Sequence, residues 1–268
     1  MAFLDDLLPD IQRTIRSPAY ATGVPSVAHR PPVSLRASIA SADHAWALLL
    51  EHKRASPGAR EPNLPRVDLD AFVRIAEAGG AAGLSCLATT PRFAGAPEDV
   101  TTLSARTRLP VLFKDFVIDP VQIDAARRAG AAAILRLARL ETEGRLSLPL
   151  AELADRAHAA GLEVVLEFHA AEELAVADHV RADVYGINLR DLDSLRFRPD
   201  VVAETFGRAG GLRPLIGMSG IEGPEDAARF RRWGADGVLV GTALARSSDP
   251  AGFVAAVRRV GSMPRGGS

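Results

Sequence analysis

One unit recurs along most of this 268-residue chain: a short apolar run, a turn, and then a segment with apolar residues at helical spacing. Eight apolar runs are present, at residues 46–53, 83–88, 110–116, 132–139, 163–169, 183–190, 213–220 and 237–244. The runs are nearly continuous in apolar residues rather than alternating. They therefore predict strands buried on both faces, as in a parallel sheet covered by helices.

The repetition predicts an α/β fold class. Eight consecutive strand–helix units fit a closed (β/α)8 TIM barrel, whose usual size is about 250 residues. The helical segments 121–130, 150–161 and 224–234 each end at a glycine, the usual residue just past a helix C-terminus. A doubly wound open sheet is the structural alternative.

The first 45 residues do not show this repeat. They hold an amphipathic segment from Phe3 to Ile15, followed by a stretch that contains Pro25, Pro31 and Pro32. We predict that residues 1–45 form an N-terminal helical extension packed on the barrel, and that residues 46–268 form the barrel domain.

Polar residues interrupt the apolar runs where the strands end. Six of the eight predicted strand ends carry them: Glu51, His52 and Lys53; Lys114 and Asp115; Glu167 and His169; Asn188 and Arg190; Ser219; and Thr242. In a barrel of this class, reactive groups come from the carboxyl ends of the strands and the loops that follow. The strand ends therefore predict an active site at one rim of the barrel.

Two lysines and two glutamates form the centre of this predicted site. Residues two apart on a strand share a face, so Glu51 and Lys53 point the same way. With Lys114 and Glu167 beside them, the four groups provide the mutual charge effects that proton transfer requires. The alternative interpretation is a solvated rim of ion pairs.

The last two strands predict a phosphate site. Ser219 and Gly220 follow the seventh strand, and Gly241 and Thr242 follow the eighth. Barrels commonly bind phosphate there, on backbone N–H groups and a helix N-terminus. Glycine allows the backbone to approach the anion closely.

Several classes of protein are disfavoured. The net charge is −1 and the basic residues are scattered among acids, so nucleic acid is not an expected partner. No apolar run approaches the roughly 20 residues of a membrane helix, and the single cysteine, Cys86, suits a reducing compartment. We expect a cytoplasmic protein, a monomer or weak homo-oligomer. No metal, dinucleotide or P-loop motif occurs, so no metal or cofactor is expected.

Five stretches, in order, resemble indole-3-glycerol phosphate synthase, a barrel lyase family of tryptophan biosynthesis. They are LLLEHKRASPG at 48–58, LPVLFKDFVIDPVQIDAARRAGA at 109–131, VLEFH at 165–169, GINLRDL at 186–192, and SGI with VGTAL in the last two units. The resemblance covers nearly the whole chain, including the extension.

The resemblance implies a carboxy-lyase reaction: ring closure of 1-(2-carboxyphenylamino)-1-deoxyribulose 5-phosphate with loss of CO₂ and water. It implies Lys114 as general acid, Lys53 as the contact to the substrate carboxylate, Glu51 as the group that steadies Lys53, and Glu167 as the acid/base of dehydration. It also implies a set of substrate-binding residues: Asn188, Arg190, Phe93 and Ser56. The phosphate would be bound by Ser219, Gly220, Gly241 and Thr242.

The sequence departs from the family pattern at four places. Met218 stands where the family has a glutamate, Ala88-Thr89 replaces Thr-Glu, Leu189 replaces a polar residue, and Arg136 lies in a usually apolar strand. Two alternatives therefore stay open: a related barrel enzyme acting on another anthranilate-derived or sugar phosphate, and a non-catalytic phosphosugar-binding protein. The direction in which Arg136 points is also open.

Overall fold

The computed structural model describes residues 3–27, 33–57, 63–65 and 67–263. Pro31 and Pro32 of the extension, Gly58 of the first motif, and the last five residues of the predicted barrel domain lie outside the described residues.

The sheet is a closed barrel of eight parallel strands in sequence order, which confirms the predicted fold. The strands are β1 (Ala47–His52), β2 (Gly83–Leu87), β3 (Val111–Lys114), β4 (Ala133–Leu137), β5 (Glu163–Phe168), β6 (Val184–Asn188), β7 (Leu215–Met218) and β8 (Gly237–Val240). β1 pairs with both β2 and β8, which closes the ring. The open-sheet alternative is therefore excluded.

Helices cover the outside of the barrel. They are α4 (Leu69–Ala78), α5 (Pro97–Arg106), α6 (Pro120–Arg128), α7 (Ala138–Thr142), α8 (Leu150–Ala159), α9 (Pro199–Arg208), α10 (Pro224–Arg232), α11 (Thr242–Arg246) and α12 (Pro250–Arg259). Between β5 and β6 the connection is a 3₁₀ helix, Ala171–Asp178. The glycines expected to end α6, α8 and α10 are Gly130, Gly161 and Gly234, all with positive φ.

Two layers of apolar side chains result from the alternation along the strands. The interior of the barrel holds Leu49, Leu112, Val165 and Ile216. The opposite faces of the strands pack against the helices in a larger cluster that includes Ile134 and Cys86. The interior of the barrel is therefore filled with apolar side chains, and the polar strand residues lie at the carboxyl ends of the strands.

The N-terminal extension contacts both ends of the barrel. α1 (Phe3–Arg16) buries Leu4, Leu7, Leu8 and Ile11 in the cluster of the barrel interior, and burial of such side chains contributes about 1.5–3 kcal/mol each. α2 (Pro18–Ala21) packs against α6. α3 (Leu35–Ala40) buries Leu35 and Ile39 beside Ala47 and Ala82, where the strands begin.

Arg136 faces the helix layer, because its neighbours Leu135 and Leu137 line the barrel interior. Its side chain does not reach solvent: the residue is 0% exposed and donates a hydrogen bond to the Val117 carbonyl. Burial lowers the pKa of Arg136 to about 9. Arg136, which stands in a usually apolar strand, thus changes the packing between strands and helices. The pocket wall on the other face of the strand stays apolar.

Candidate active site

A pocket opens at the carboxyl ends of the strands. All twelve site residues predicted from the sequence line it: Lys114, Glu167, Lys53, Glu51, Asn188, Arg190, Phe93, Ser56, Ser219, Gly220, Gly241 and Thr242. These residues come from six strand ends and one loop, so the barrel brings together groups that are up to 191 positions apart, from Glu51 to Thr242.

Glu51 joins the two lysines at the centre of the pocket. Its Oε1 lies 2.8 Å from the Lys53 Nζ, and its Oε2 lies 3.6 Å from the Lys114 Nζ. Burial acts to raise the pKa of Glu51, but the two lysines outweigh it and hold that pKa below its usual value. The carboxylate is therefore ionised and orients both cations.

Lys114 retains its proton. Burial acts against its charge, but the carboxylates of Glu51 and Glu167 outweigh burial and raise the pKa of Lys114 above its ordinary value. Its side chain is only 17% exposed. A buried ammonium at the end of β3 can thus donate a proton to a bound oxygen.

Glu167 lies across the pocket at the end of β5. Its Oε1 accepts a hydrogen bond of 3.0 Å from the Asn188 side-chain amide. Burial acts to raise its pKa, but contact with His169 and the charge of Lys114 prevail and lower the pKa of Glu167 to about 2. The group is ionised and can accept a proton.

Met218 lies at the end of β7, fully buried in the barrel interior, and lines the pocket. Its methyl group passes over Gly186 of β6: a Cβ on Gly186 would stand 2.5 Å from the Met218 Cε. The absence of a side chain at Gly186 therefore makes room for the thioether. Where the family pattern has a carboxylate, this pocket has an uncharged surface against β6.

Aromatic side chains form one wall of the pocket. The Phe93 ring lies 6.0 Å from that of Phe3 in an edge-to-face arrangement, and 5.8 Å from that of Phe116. Phe3 belongs to α1, so the extension supplies part of this wall. Such a wall can pack against a flat aromatic ring of a ligand.

Backbone and hydroxyl groups dominate the opposite side. Ser219 and Gly220 have positive φ values of 65° and 67°. Gly241 approaches the charged centre closely, because a Cβ there would stand 2.8 Å from the Glu51 Oε1. The Thr242 hydroxyl lies 3.5 Å from that of Ser56.

The loop after β6 contacts the loop after β1 through Arg190. Its Nη1 donates to the carbonyl of Pro57 at 3.3 Å and to that of Leu195 at 3.0 Å. The guanidinium lies over the Phe197 ring, 4.6 Å from its centroid. Burial lowers the pKa of Arg190.

The sequence analysis gave no role to a second carboxylate, Asp115. Its side chain accepts hydrogen bonds from Tyr20 (2.5 Å), Thr89 (2.6 Å) and Gln122 (3.1 Å), and from the Phe116 N–H (2.9 Å). Burial raises the pKa of Asp115, and the hydrogen bonds partly offset this. The polar end of β3 indicated Asp115, but no sequence signal linked it to Tyr20, 95 positions away.

His169 is the other residue whose role the sequence analysis missed. It appeared there only as a polar strand end, yet it lies buried behind Glu167, 3.1 Å from that carboxylate.

In the described ranges, no group of three or more His, Cys, Asp or Glu side chains is placed to hold a metal ion. None of the helices described is long and apolar enough to cross a bilayer.

A closed parallel barrel with a charged pocket at its carboxyl rim defines a (β/α)8 barrel of the enzyme type. The sequence profile of the indole-3-glycerol phosphate synthase family matches residues 11–257. The chain therefore belongs to the indole-3-glycerol phosphate synthase family.

Individual relatives agree with the family match. The chain is 35% identical to indole-3-glycerol phosphate synthase 2 of Streptomyces coelicolor, over 89% of this chain and 90% of that protein. It is 34% identical to indole-3-glycerol phosphate synthase of a Nocardioides species, over 97% and 98% of the two chains. A thiamine phosphate pyrophosphorylase structure from Pyrococcus furiosus superposes with a TM-score of 0.58 at 18% identity, covering 82% of this chain and 96% of that one. That last likeness shows a shared fold only.

Proposed function

We propose that this protein catalyses the ring closure of 1-(2-carboxyphenylamino)-1-deoxyribulose 5-phosphate to indole-3-glycerol phosphate, with release of one CO₂ and one water. The observation that carries this is the junction of Lys53, Lys114 and Glu167 in one pocket, with an aromatic wall on one side and glycine and hydroxyl groups on the other. Family membership supports the same reaction.

Ring closure needs an acid at the sugar carbonyl. The ring carbon that bears the carboxylate attacks that carbonyl, and the oxygen must gain a proton as the new C–C bond forms. Lys114 is placed for this step, because its ammonium group lines the pocket and the carboxylates of Glu51 and Glu167 keep it protonated. We assign Lys53 to the substrate carboxylate, since Glu51 holds its Nζ at the pocket centre.

Loss of CO₂ restores the aromatic ring and leaves a hydroxyl on the new five-membered ring. Dehydration then requires a proton on the departing hydroxyl and removal of a proton from the neighbouring carbon. Glu167 is suited to the removal, because it is ionised and faces the pocket. We assign Asn188, which donates to Glu167 and lines the pocket, to the substrate hydroxyls.

The two ends of the substrate fit the two sides of the pocket. We assign the anthranilate ring to Phe93 and its aromatic neighbours, with Ser56 and Arg190 as further substrate contacts. We assign the phosphate to Ser219, Gly220, Gly241 and Thr242. We further propose a cytoplasmic location, in line with the free buried thiol of Cys86, a small phosphosugar substrate as the partner, and a monomer or weak homo-oligomer.

One assay tests the proposal. Purified protein is mixed with the carboxyphenylamino-deoxyribulose phosphate, and indole absorbance is followed. Formation of indole-3-glycerol phosphate is the expected result. Tight binding of the substrate without turnover would overturn the proposal in favour of a phosphosugar-binding protein. If the protein shows no binding and no turnover of this compound, the result would favour a related substrate. Met218 provides the specific structural reason for that alternative.

A further inference from the structure

A chain of side chains with alternating charge runs from Glu167 to the protein surface. We call it the β5 charge ladder. Its members, from the pocket outward, are Glu167, His169, Glu173, Arg139, and the pair Asp191 and Asp193. They come from β5, the following 3₁₀ helix, α7 and the loop after β6, so the ladder joins three neighbouring strand ends.

The contacts along the ladder are short. The His169 Nε2 lies 3.1 Å from the Glu167 Oε1, and its Nδ1 lies 3.7 Å from the Glu173 Oε2. The Arg139 Nε is 2.9 Å from the Glu173 Oε1, and its Nη1 is 3.3 Å from both aspartates. The His169 side chain is 0% exposed, whereas that of Asp193 is 40% exposed.

The geometry fixes the charge of His169. A neutral imidazole has one donor nitrogen and one acceptor nitrogen. Here the two ring nitrogens lie 3.1 Å and 3.7 Å from carboxylate oxygens, and neither has a hydrogen-bond partner among the described residues. A neutral ring would turn one lone pair toward an acceptor, so the two carboxylates favour the imidazolium, which carries two donors.

Charged and polar groups from several elements determine the charge of His169 and of Glu167. Glu167 and Glu173 face it directly, and Arg139 neutralises Glu173 from the far side. Lys114 acts on Glu167 from β3, and Asn188 donates to Glu167 from β6. Burial opposes the charge of His169, but the two carboxylates outweigh it and raise the pKa of His169 to about 9.

The ladder divides the two oxygens of Glu167. Its Oε1 accepts a hydrogen bond from the Asn188 amide at 3.0 Å and lies 3.1 Å from the His169 Nε2, close enough for a charge interaction. Its Oε2 has no hydrogen-bond partner among the residues that the structure describes. One oxygen is thus held by the protein, and the other is buried without a hydrogen-bond partner in a residue that lines the pocket.

We propose that His169 is a positioning residue for the dehydration step: as a buried cation it keeps Glu167 ionised and directs the Glu167 Oε2 toward the proton to be removed. This inference rests on the proposed function, because it gives Glu167 the role of base. Removing the imidazolium leaves a buried carboxylate with one polar partner fewer, and such a group gains a proton more readily.

The first experiment does not depend on activity. The full-length protein is labelled with ¹³C and ¹⁵N at histidine, and the His169 ring resonances are identified by their loss in His169→Asn. We expect ring shifts of an imidazolium at pH 7, with titration near pH 9. A ring that is neutral at pH 7 would overturn the inference, whether or not the protein turns over the proposed substrate.

The second experiment measures kcat and KM against pH for His169→Asn. We expect kcat at pH 7 to fall by about 10²-fold, the low end of what a positioned proton-transfer group contributes, with KM within about 2-fold. The Glu167 pKa rises on loss of the cation, and Glu167 is inactive when protonated. The acidic limb of the kcat profile should therefore move to higher pH, and activity should recover as pH increases.

The matched control is His158→Asn. His158 lies on α8 and contacts Asp183 at 2.8 Å, a histidine–carboxylate pair at the opposite end of the barrel. This change should leave the shape of the pH profile unaltered. An unshifted acidic limb in His169→Asn, or the same shift in both variants, would overturn the inference, because it would reduce His169 to a structural role. Absence of turnover in the unmodified protein would instead count against the proposed function alone.

Discussion

Buried carboxylates occur at both ends of the barrel, but their contacts differ between the two ends. At the carboxyl end, Glu51 and Glu167 face cations, and the Glu167 Oε2 has no hydrogen-bond partner among the described residues. At the amino end, Asp183 and Asp236 also lie near basic side chains, but the Oδ2 of each accepts a hydrogen bond from a backbone N–H group. A carboxylate that is bonded to the backbone stabilises a strand, whereas one with an unpartnered oxygen in a pocket can move a proton.

The amino-end pattern follows the strand order. The Asp236 Oδ2, just before β8, accepts the N–H of Leu215 in β7 at 2.8 Å. The Asp183 Oδ2, just before β6, accepts the N–H of Val164 in β5 at 2.9 Å. Each aspartate thus links the start of its own strand to the strand before it, and neither lines the pocket.

The largest effect should come from Lys114→Ala. Loss of the general acid should lower kcat by about 10²–10⁴-fold, while the midpoint of thermal unfolding changes little, because the Nζ contributes to chemistry more than to packing. Indole formation and a circular dichroism melt measure the two quantities. A variant that keeps most of its rate would show that the acid lies elsewhere, and the contrast between the ends would fail.

Tyr20→Phe tests a carboxylate that lines the pocket but, like the carboxylates at the amino end, accepts hydrogen bonds from the protein. The change leaves the buried Asp115 without its 2.5 Å hydrogen bond, which should lower the free energy of unfolding by about 1–3 kcal/mol. Turnover should fall much less than in Lys114→Ala.

Chemical unfolding in urea measures the Tyr20→Phe effect, and Tyr185→Phe is its matched control. The Tyr185 hydroxyl makes no hydrogen bond within the described ranges, and the ring stacks on Phe168. Equal stability losses in the two variants would show that the hydroxyl of Tyr20 adds nothing through Asp115.

Asp236→Asn should have a smaller effect, confined to stability. The amide oxygen still accepts the Leu215 N–H but without charge, so we expect a loss of about 1 kcal/mol and an unchanged kcat. Urea unfolding and the indole assay on the same preparation check this. A fall in kcat would show that the amino end is coupled to the active site.

Met218→Glu is the substitution expected to cause no loss of turnover at the active site itself. It restores the carboxylate of the family pattern at the end of β7, facing a pocket that already holds Lys53, Lys114 and Arg190. Turnover should stay the same or rise. Met218→Leu, which keeps the apolar surface, is the control. A large loss in the glutamate variant alone would show that the thioether is an adapted part of this pocket.

The barrel was predictable because its signal is periodic and local. Each apolar run ends in polar residues, and parallel strands place all such ends at one rim, so Lys53, Lys114 and Glu167 could be brought together without coordinates. The glycines that end α6, α8 and α10 could be identified for the same reason, since each reports on its own helix.

Partnerships between distant elements could not be predicted in this way. His169 was visible as a polar strand end, but its charge depends on Glu173 and, through it, on Arg139 of α7. The direction of Arg136 depended on the register of β4, which an apolar run does not reveal. An amphipathic pattern predicted α1, but not that Phe3 would reach the pocket.

The contacts of the extension also set a condition on folding during synthesis. Asp5 pairs with Arg145, and Ser34 donates a hydrogen bond to Glu163, across 140 and 129 positions of sequence. Asp5 and Ser34 therefore leave the ribosome well before their partners Arg145 and Glu163. Until the chain has been translated through the start of β5, the extension cannot complete the polar contacts that hold it on the barrel.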